Sequence, residues 1–381
     1  MNYEEFKQEV VDRIQDFLPE KYADADVSIQ TVVKNNDQKL DGLMVKLEES
    51  NICPNIYLNQ FYEQYDNGRD LNDILQNIAE IRTQHEMSED FDVNRITDFD
   101  SVKDRITCRL INAEQNAEYL ADKPHTMVED LAVTYHIAIN NDEMGSMSAP
   151  VTNKLLESYG VDVETLHKHA MDNMENLTPP TFKSMTETMV EMMLPDMMQS
   201  GMSEEEARGT IAAMLPPAQD EMMYVLSNAN KLNGAAVVLN DRMMDQITEK
   251  LGGEFFILPS SVHELLVVPK TEQTDLKTLE NMVQEVNATQ VSPGERLSDH
   301  VYAYDADSQE LFRADKAEER AAAKENGRDE MRSPDKAAER NEKQDRPSLK
   351  ERLAEKKDEV AKTAMSKEPP VLNKKRETAL A

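Results

Sequence analysis

The apolar positions of this chain fall into short runs of two periods, and the densest set lies between Met222 and Pro269. There MYVLS and AAVVL read as two strands separated by NANKLNG, whose Asn and Gly residues mark a turn. Met244, Ile247 and Leu251 recur at helical spacing behind Asp241, which caps the helix, and Gly252-Gly253 stops it. FFIL, closed by Pro259, and HELLVV read as two further strands. The predicted order of strand, strand, helix, strand, strand makes this module the heart of a mixed α+β core.

Upstream, Phe6, Val10, Ile14 and Phe17 share one face of a helix over 2–18, with an Asn2/Glu5 capping box and a stop at Pro19. A hairpin follows: Val27, Ile29, Thr31 and Val33 alternate, KNNDQK turns, and Leu43, Val45 and Leu47 alternate back. NIYLNQFY reads as a short strand entering a helix, and Asp70 caps a helix that buries Leu71, Ile74, Leu75, Ile78 and Ile81. The acidic HEMSEDFDVNRITDFD reads as a surface connection. Ile106, Cys108 and Leu110 form one alternating strand, NAEQNAEYL a short helix, and Leu131 to Ile139 the cleanest alternation in the chain. NNDEMGSMSAP reads as a turn before helices around 151–159 and 163–173. Twelve of the 23 methionines fall between 171 and 223, a stretch that prolines 179, 180, 195, 216 and 217 divide into short helical pieces. A helix with Leu276, Leu279, Val283 and Val286 and a strand near HVYAY close the pattern.

The fold class expected is therefore α+β, with mixed, mainly antiparallel short-strand sheets packed with helices. The body spans 1–314, either whole or as two lobes of about 1–125 and 126–314, with the Met-rich helical segment 171–223 inside it. From Asp315 aromatic residues are gone, and the 315–381 tail is expected to be disordered, because it has too little apolar surface to offset its ordering entropy.

Charge sharpens this division. The tail holds 18 Lys+Arg against 16 Asp+Glu, so the body carries 24 against 58. So acidic a body repels phosphate backbones and anionic membranes, which disfavours direct nucleic-acid binding. The two cysteines, Cys53 and Cys108, the start MNYEEFKQE and the lack of a long apolar run point to a cytoplasmic protein off the membrane.

Candidate chemistry is sparse. Ser260, Ser261 and His263 gather at a strand end, where active-site groups often lie, but no G-x-S-x-G elbow or third orienting group accompanies them. They are the candidate catalytic residues, weighed against an ordinary half-buried strand end. His167 and His169 sit two apart on a helix and point to different faces, so they share no metal. His136 lies on the polar side of its strand and reads as an ordinary polar-face histidine, His125 as a loop residue, and Cys108 as a buried structural thiol. The methionines read as adaptable packing or a partner groove rather than a copper site. No Walker loop, dinucleotide fingerprint or zinc spacing occurs, so neither a cofactor nor a metal is expected.

The blocks VSIQTVVKNND, LMVKLEESNICPNIYLNQFYEQY, DRITCRLIN, DLAVTYHIAI, MMYVLSNANKLNGAAVVL and LGGEFFILPSSVHELLVVP carry a resemblance over nearly all of 1–314. They resemble the uncharacterised family called domain of unknown function 5688, seen in gut Firmicutes and often on integrative conjugative elements. A more distant similarity is to domain of unknown function 1444. The tail, with RPSLKERL, is similar to charged C-terminal extensions of element-encoded proteins. The resemblance implies a bacterial cytoplasm and a mobile-element accessory gene, and it supplies no catalytic residues. The expected function is a non-enzymatic accessory protein that binds another protein. Two alternatives stand beside it: an acidic DNA mimic acting on a DNA-handling enzyme, and an enzyme or small-ligand protein with a site near 259–263.

Overall fold

Asn2 and Glu5 close a reciprocal capping box at the start of α1 (Tyr3–Arg13); Phe6 and Val10 are fully buried along its inner face, and so is Ile14 just beyond its end. A computed structural model describes residues 1–323 apart from 49, 51–52, 86–91, 93, 143–144, 215–221 and 273. Met1–Tyr304 with Leu311–Asp315 form one compact unit, and Asp305–Glu310 with Lys316–Ala381 a second. In the second, residues 317–323 are helical, and Arg320 bonds Ser308 Oγ at 3.0 Å and pairs with Glu310. The disorder expected of the tail beyond 323 lies outside the described residues.

The fold is α+β with antiparallel pairing in three sheets. The first joins the hairpin β1 (Asp26–Val33) and β2 (Lys39–Lys46) to β3 (Ile56–Tyr57). α1, α2 (Asn59–Asp66) and α3 (Leu71–Gln84) accompany it, and its core gathers Phe6, Ile14, Tyr22, Leu43, Ile74, Leu75 and Ile78. Asp70 caps α3 through the Asn72 amide. Arg82, buried in this core, donates to the Val45 carbonyl and the Tyr22 hydroxyl.

Short helices α4 (Asn94–Thr97) and α5 (Phe99–Val102) lead to the second sheet. Here β6 (Leu131–Asp142) is the spine. β4 (Ile106–Asn112) lines one edge, and β5 (His125–Val128) and β7 (Gly145–Pro150) follow each other along the other. α6 (Ala117–Leu120) lies between β4 and β5. Beyond β7 come α7 (Asn153–Tyr159) and α8 (Val163–Leu177), whose buried Leu166, Ala170 and Met174 pack on the sheet. The sheet runs through residue 125, so β4 and β5–β7 belong to one structure.

The third sheet has the order β13-β12-β10-β11-β9-β8. Its members are β8 (Pro180–Ser184), β9 (Tyr224–Asn228), β10 (Phe255–Leu258), β11 (Leu265–Pro269), β12 (Tyr302–Asp305) and β13 (Glu310–Arg313). α9 (Met185–Gln199), α10 (Glu204–Met214), α11 (Asp241–Leu251) and α12 (Leu276–Thr289) join the strands.

Several expectations need correction. AAVVL is not a strand but a buried 3₁₀ turn, Gly234–Leu239. A continuous apolar run has no period to separate the two. The turn is set by Asn233 at φ 54° and by Gly234, where a Cβ would lie 2.2 Å from Ser227 Oγ and 2.5 Å from the His263 carbonyl. Asn240, not Asp241, caps α11 through the Met243 amide. Residues 145–150 pair with β6 as β7 instead of turning, and His125 opens strand β5 instead of a loop. In the Met-rich stretch, 180–184 is strand β8, and Pro195 sits inside α9 without ending it.

Candidate functional site

Antiparallel register sorts the second sheet into two faces. Arg109 lies opposite Thr134, His136 opposite Pro150, and Ala138 opposite Ser148. With a period of two, Arg109, Ile111, Thr134, His136, Ser148 and Pro150 share one face. Cys108, Leu110, Val133, Tyr135 and Ile137 share the other, beneath α8. The first face is the floor of a cleft of about 650 Å³. Its walls are the hairpin residues Val32 to Asn35, Gln38 and Leu40, then Tyr119 and Lys123, and finally Asn233, Val262 and Gly294.

The hairpin tip is pinned over this floor. Asn36 and Asp37 both take left-handed backbone, φ 57° and 48°. The Asn36 amide donates to Asn116 Oδ1 at 2.7 Å, and Asn116 Nδ2 returns a bond to Asn36 Oδ1 at 2.8 Å. Asn36 Nδ2 also donates to the Pro293 and Arg296 carbonyls, and Asn35 Nδ2 to the Gly294 carbonyl, each at 2.7 to 2.8 Å. The Asp37 carboxylate accepts the Glu118 and Tyr119 amides at 2.9 Å. Three segments distant in sequence are thus fixed to one another around the cleft.

The electrostatics of the lining are unlike the rest of the chain. Asp and Glu make up 74 of 381 residues, yet none of the residues lining the cleft is acidic. Arg109 donates to Ser148 Oγ at 2.6 Å and has no carboxylate partner among the described residues; burial holds its guanidinium below its ordinary value. Lys123 Nζ lies 4.0 Å from the centre of the Tyr119 ring and pairs with the exposed Asp122 at 2.6 Å. Lys34 Nζ lies 4.9 Å from the centre of the Tyr57 ring. Burial raises the Tyr119 hydroxyl.

His136 is 2% exposed, so the reading of an ordinary polar-face histidine is corrected. It does lie on the polar face, but that face is roofed by the hairpin. Its Nε2 is 3.3 Å from Thr134 Oγ1, while Nδ1 is buried without a partner among the described residues. Burial, reinforced by Arg109 and Lys123, holds the imidazole well below its ordinary pKa, in the neutral form. A buried charge without a counter-ion costs several kcal/mol, on the order of ~3–5 when a partner is missing.

The residues expected from sequence lie beside this cleft rather than in it. Ser260 Oγ donates to the Glu264 carbonyl at 3.3 Å, and Ser261 Oγ accepts the His263 amide at 3.0 Å. The His263 imidazole meets neither hydroxyl: Nδ1 accepts the Asn233 amide at 3.1 Å and Nε2 lies 3.5 Å from Glu295 Oε1. These groups hold the turn that presents Val262 and Asn233 to the cleft. His167 Nδ1 is 3.1 Å from the Tyr135 hydroxyl, and His169 meets the Phe99 ring edge-on. Among the described residues no group of three or more His, Cys, Asp or Glu could hold a metal ion. Burial pushes the Cys108 thiol up to about 12. No helix among the described residues is long and apolar enough to cross a membrane.

Arg109, Lys123 and His136 all line the cleft; the sequence pattern drew no attention to Arg109 and Lys123, and His136 read there as an ordinary polar-face histidine. The available signal was a cation and a histidine inside the two best-patterned strands of an acidic chain. The family model for the family of unknown function DUF5688 matches residues 3–306, and the chain belongs to that family. No curated protein and no solved structure matches the chain. The matched span contains every residue of the cleft.

Proposed function

We propose that this DUF5688 protein binds a small organic anion, and that the cleft over β4, β6 and β7 is where it does so. The observation that carries the reading is the lining itself, with Arg109 lacking a carboxylate partner among the described residues and no acidic side chain along the walls. Arg offers a planar fork suited to a carboxylate or phosphate. Val32, Val33, Leu40, Ile111, Pro150 and Val262 supply the apolar walls, so the ligand combines an anionic head with an apolar body. This is the small-ligand alternative, with its site moved from Ser260, Ser261 and His263 to the cleft they border.

Titration calorimetry with benzoate, phenyl phosphate and the neutral benzyl alcohol tests the reading. The two anions bind the wild-type chain and benzyl alcohol does not. In Arg109→Gln the anions lose at least about tenfold in affinity, or ~1.4 kcal/mol. Equal binding of the alcohol, or full affinity in Arg109→Gln, overturns the proposal.

A second reading, the cytoplasmic accessory protein of a mobile element that grips another protein, draws on α9. None of its residues is buried, and Met189, Met192 and Met198 are exposed, as flexible side chains suited to an apolar groove on a partner. Replacing Met192 and Met198 by Glu then abolishes retention of a partner that the wild-type chain holds. Retention unchanged by the pair of substitutions ends that reading. The DNA-mimic alternative rests on the acidity of the body alone.

A further inference from the structure

We infer that the anion enters the cleft together with a proton, and that His136 carries it. The inference rests on the anion reading and deepens it. Its geometric basis is the imidazole on the cleft floor. Nε2 is engaged with Thr134 Oγ1, and Nδ1 is buried with no hydrogen-bond partner among the described residues. A buried polar nitrogen without a partner is costly, and an imidazole that gains a proton becomes a donor at both nitrogens. Burial and the described charges of Arg109 and Lys123 all oppose the charged form.

The groups around His136 support that statement from every side. β4 contributes Arg109, and α6 with its following turn contributes Tyr119 and Lys123. The end of β1 contributes Lys34. From β5, His125 engages the Lys123 carbonyl through Nδ1. β7 has no titratable side chain, and Gly294 is the lining residue of the 292–297 loop. Two acids meet this set: Asp122, exposed and paired with Lys123, and Asp37, whose carboxylate accepts the Tyr119 amide. The charges facing the imidazole are therefore positive, and together with burial they keep it neutral.

An anion reverses the balance. It neutralises the field of Arg109 and Lys123 at the imidazole and supplies an acceptor for a charged N–H donor. The proton comes from solvent, leaves with the ligand, and no covalent bond changes. The consequence is linkage: where the free chain holds His136 neutral and the complex holds it charged, one proton is taken up per anion bound. Affinity then weakens by up to about tenfold for each unit that the pH rises through that window.

The test uses the full chain with benzoate, whose carboxylate stays ionised throughout, and phenyl phosphate as the second probe. Calorimetry in buffers of different ionisation enthalpy counts the protons taken up. ¹⁵N-imidazole NMR follows His136 in the free and saturated chain. The expected result is uptake of close to one proton with benzoate and protonation of both His136 nitrogens in the complex. His136→Gln is expected to bind more weakly and to lose the proton uptake. Should that variant not fold, the NMR result on the wild-type chain decides alone. Benzoate binding without proton uptake, with a neutral imidazole in the complex, overturns the inference and leaves the anion reading standing. Failure of both probes to bind overturns the anion reading and this inference with it. Uptake seen only with phenyl phosphate assigns the proton to the phosphate and also overturns it.

Discussion

On one face of β6, Val133, Tyr135 and Ile137 pack with Cys108 and Leu110 beneath α8. On the other, Thr134 and His136 are buried just as deeply, but beside Arg109 and under the hairpin tip. The two faces thus match in depth and differ in satisfaction. The α8 face is closed by dispersion and by satisfied polar groups: the Tyr135 hydroxyl meets Thr126 and His167, and Asn173 donates to the Lys103 and Ile106 carbonyls. The hairpin face leaves a guanidinium without a carboxylate among the described residues and an imidazole nitrogen with no partner. Burial alone does not distinguish a core from a site, whereas unpaired polar groups within a burial do.

The largest expected effect breaks the α8 face. Leu166 is fully buried, and Leu166→Ala removes its contacts and leaves a cavity between α8 and the sheet. Urea denaturation is expected to show a loss of about 3 kcal/mol, within the usual range of about 2–5. Benzoate affinity of the folded protein stays at the wild-type level. A loss of affinity as large as the loss of stability would mean that the two faces are not separable.

On the hairpin face the sign inverts. Arg109→Met keeps the length and apolar volume of the side chain and removes a half-buried charge that no carboxylate offsets. Replacing buried charge by apolar volume is neutral or stabilising by about 1–2 kcal/mol in such settings, while residues held for binding are often kept at a cost in stability. The expected outcome is an unchanged or raised midpoint of denaturation together with lost benzoate binding. A fall in stability comparable to Leu166→Ala would show that Arg109 is a structural member of the sheet.

The sequence made one face readable and hid the other for a definite reason. Alternation at Ile106, Cys108 and Leu110 and from Leu131 to Ile139 is enough to assign two strands and their apolar side, as observed in β4 and β6. Alternation says nothing of what covers the polar side. That depends on Asn36 and Asp37 reaching Asn116, Glu118, Tyr119, Pro293 and Arg296, contacts that span up to 260 positions. The same limit explains AAVVL, whose unbroken apolar run fits a buried strand and a buried 3₁₀ turn equally. The capping signals of α1 and α3 were legible because each cap lies within three residues of the amide it serves.

The smallest effect is the sharpest test of the cleft, because it isolates one proton. His136 is neutral in the folded chain, with its pKa held below the ordinary value of about 6.5, while in the unfolded chain it titrates normally. As pH falls through that value the unfolded state binds a proton that the folded state refuses, so stability falls on acidification. Between about pH 6.5 and 5.5 the loss from this group is roughly 1 kcal/mol. His167, lowered by burial, adds in the same direction, so His136→Gln is expected to reduce the slope and not to abolish it. Asp41, lowered chiefly by its bond to Thr31, gives up its contribution only at lower pH and does not enter this window. Saturating benzoate supplies the converse: with the imidazole charged in the complex, the folded state holds the proton too, and the wild-type slope falls to that of the variant. A wild-type slope that benzoate leaves unchanged would place His136 with the packed face of β6 rather than with the cleft.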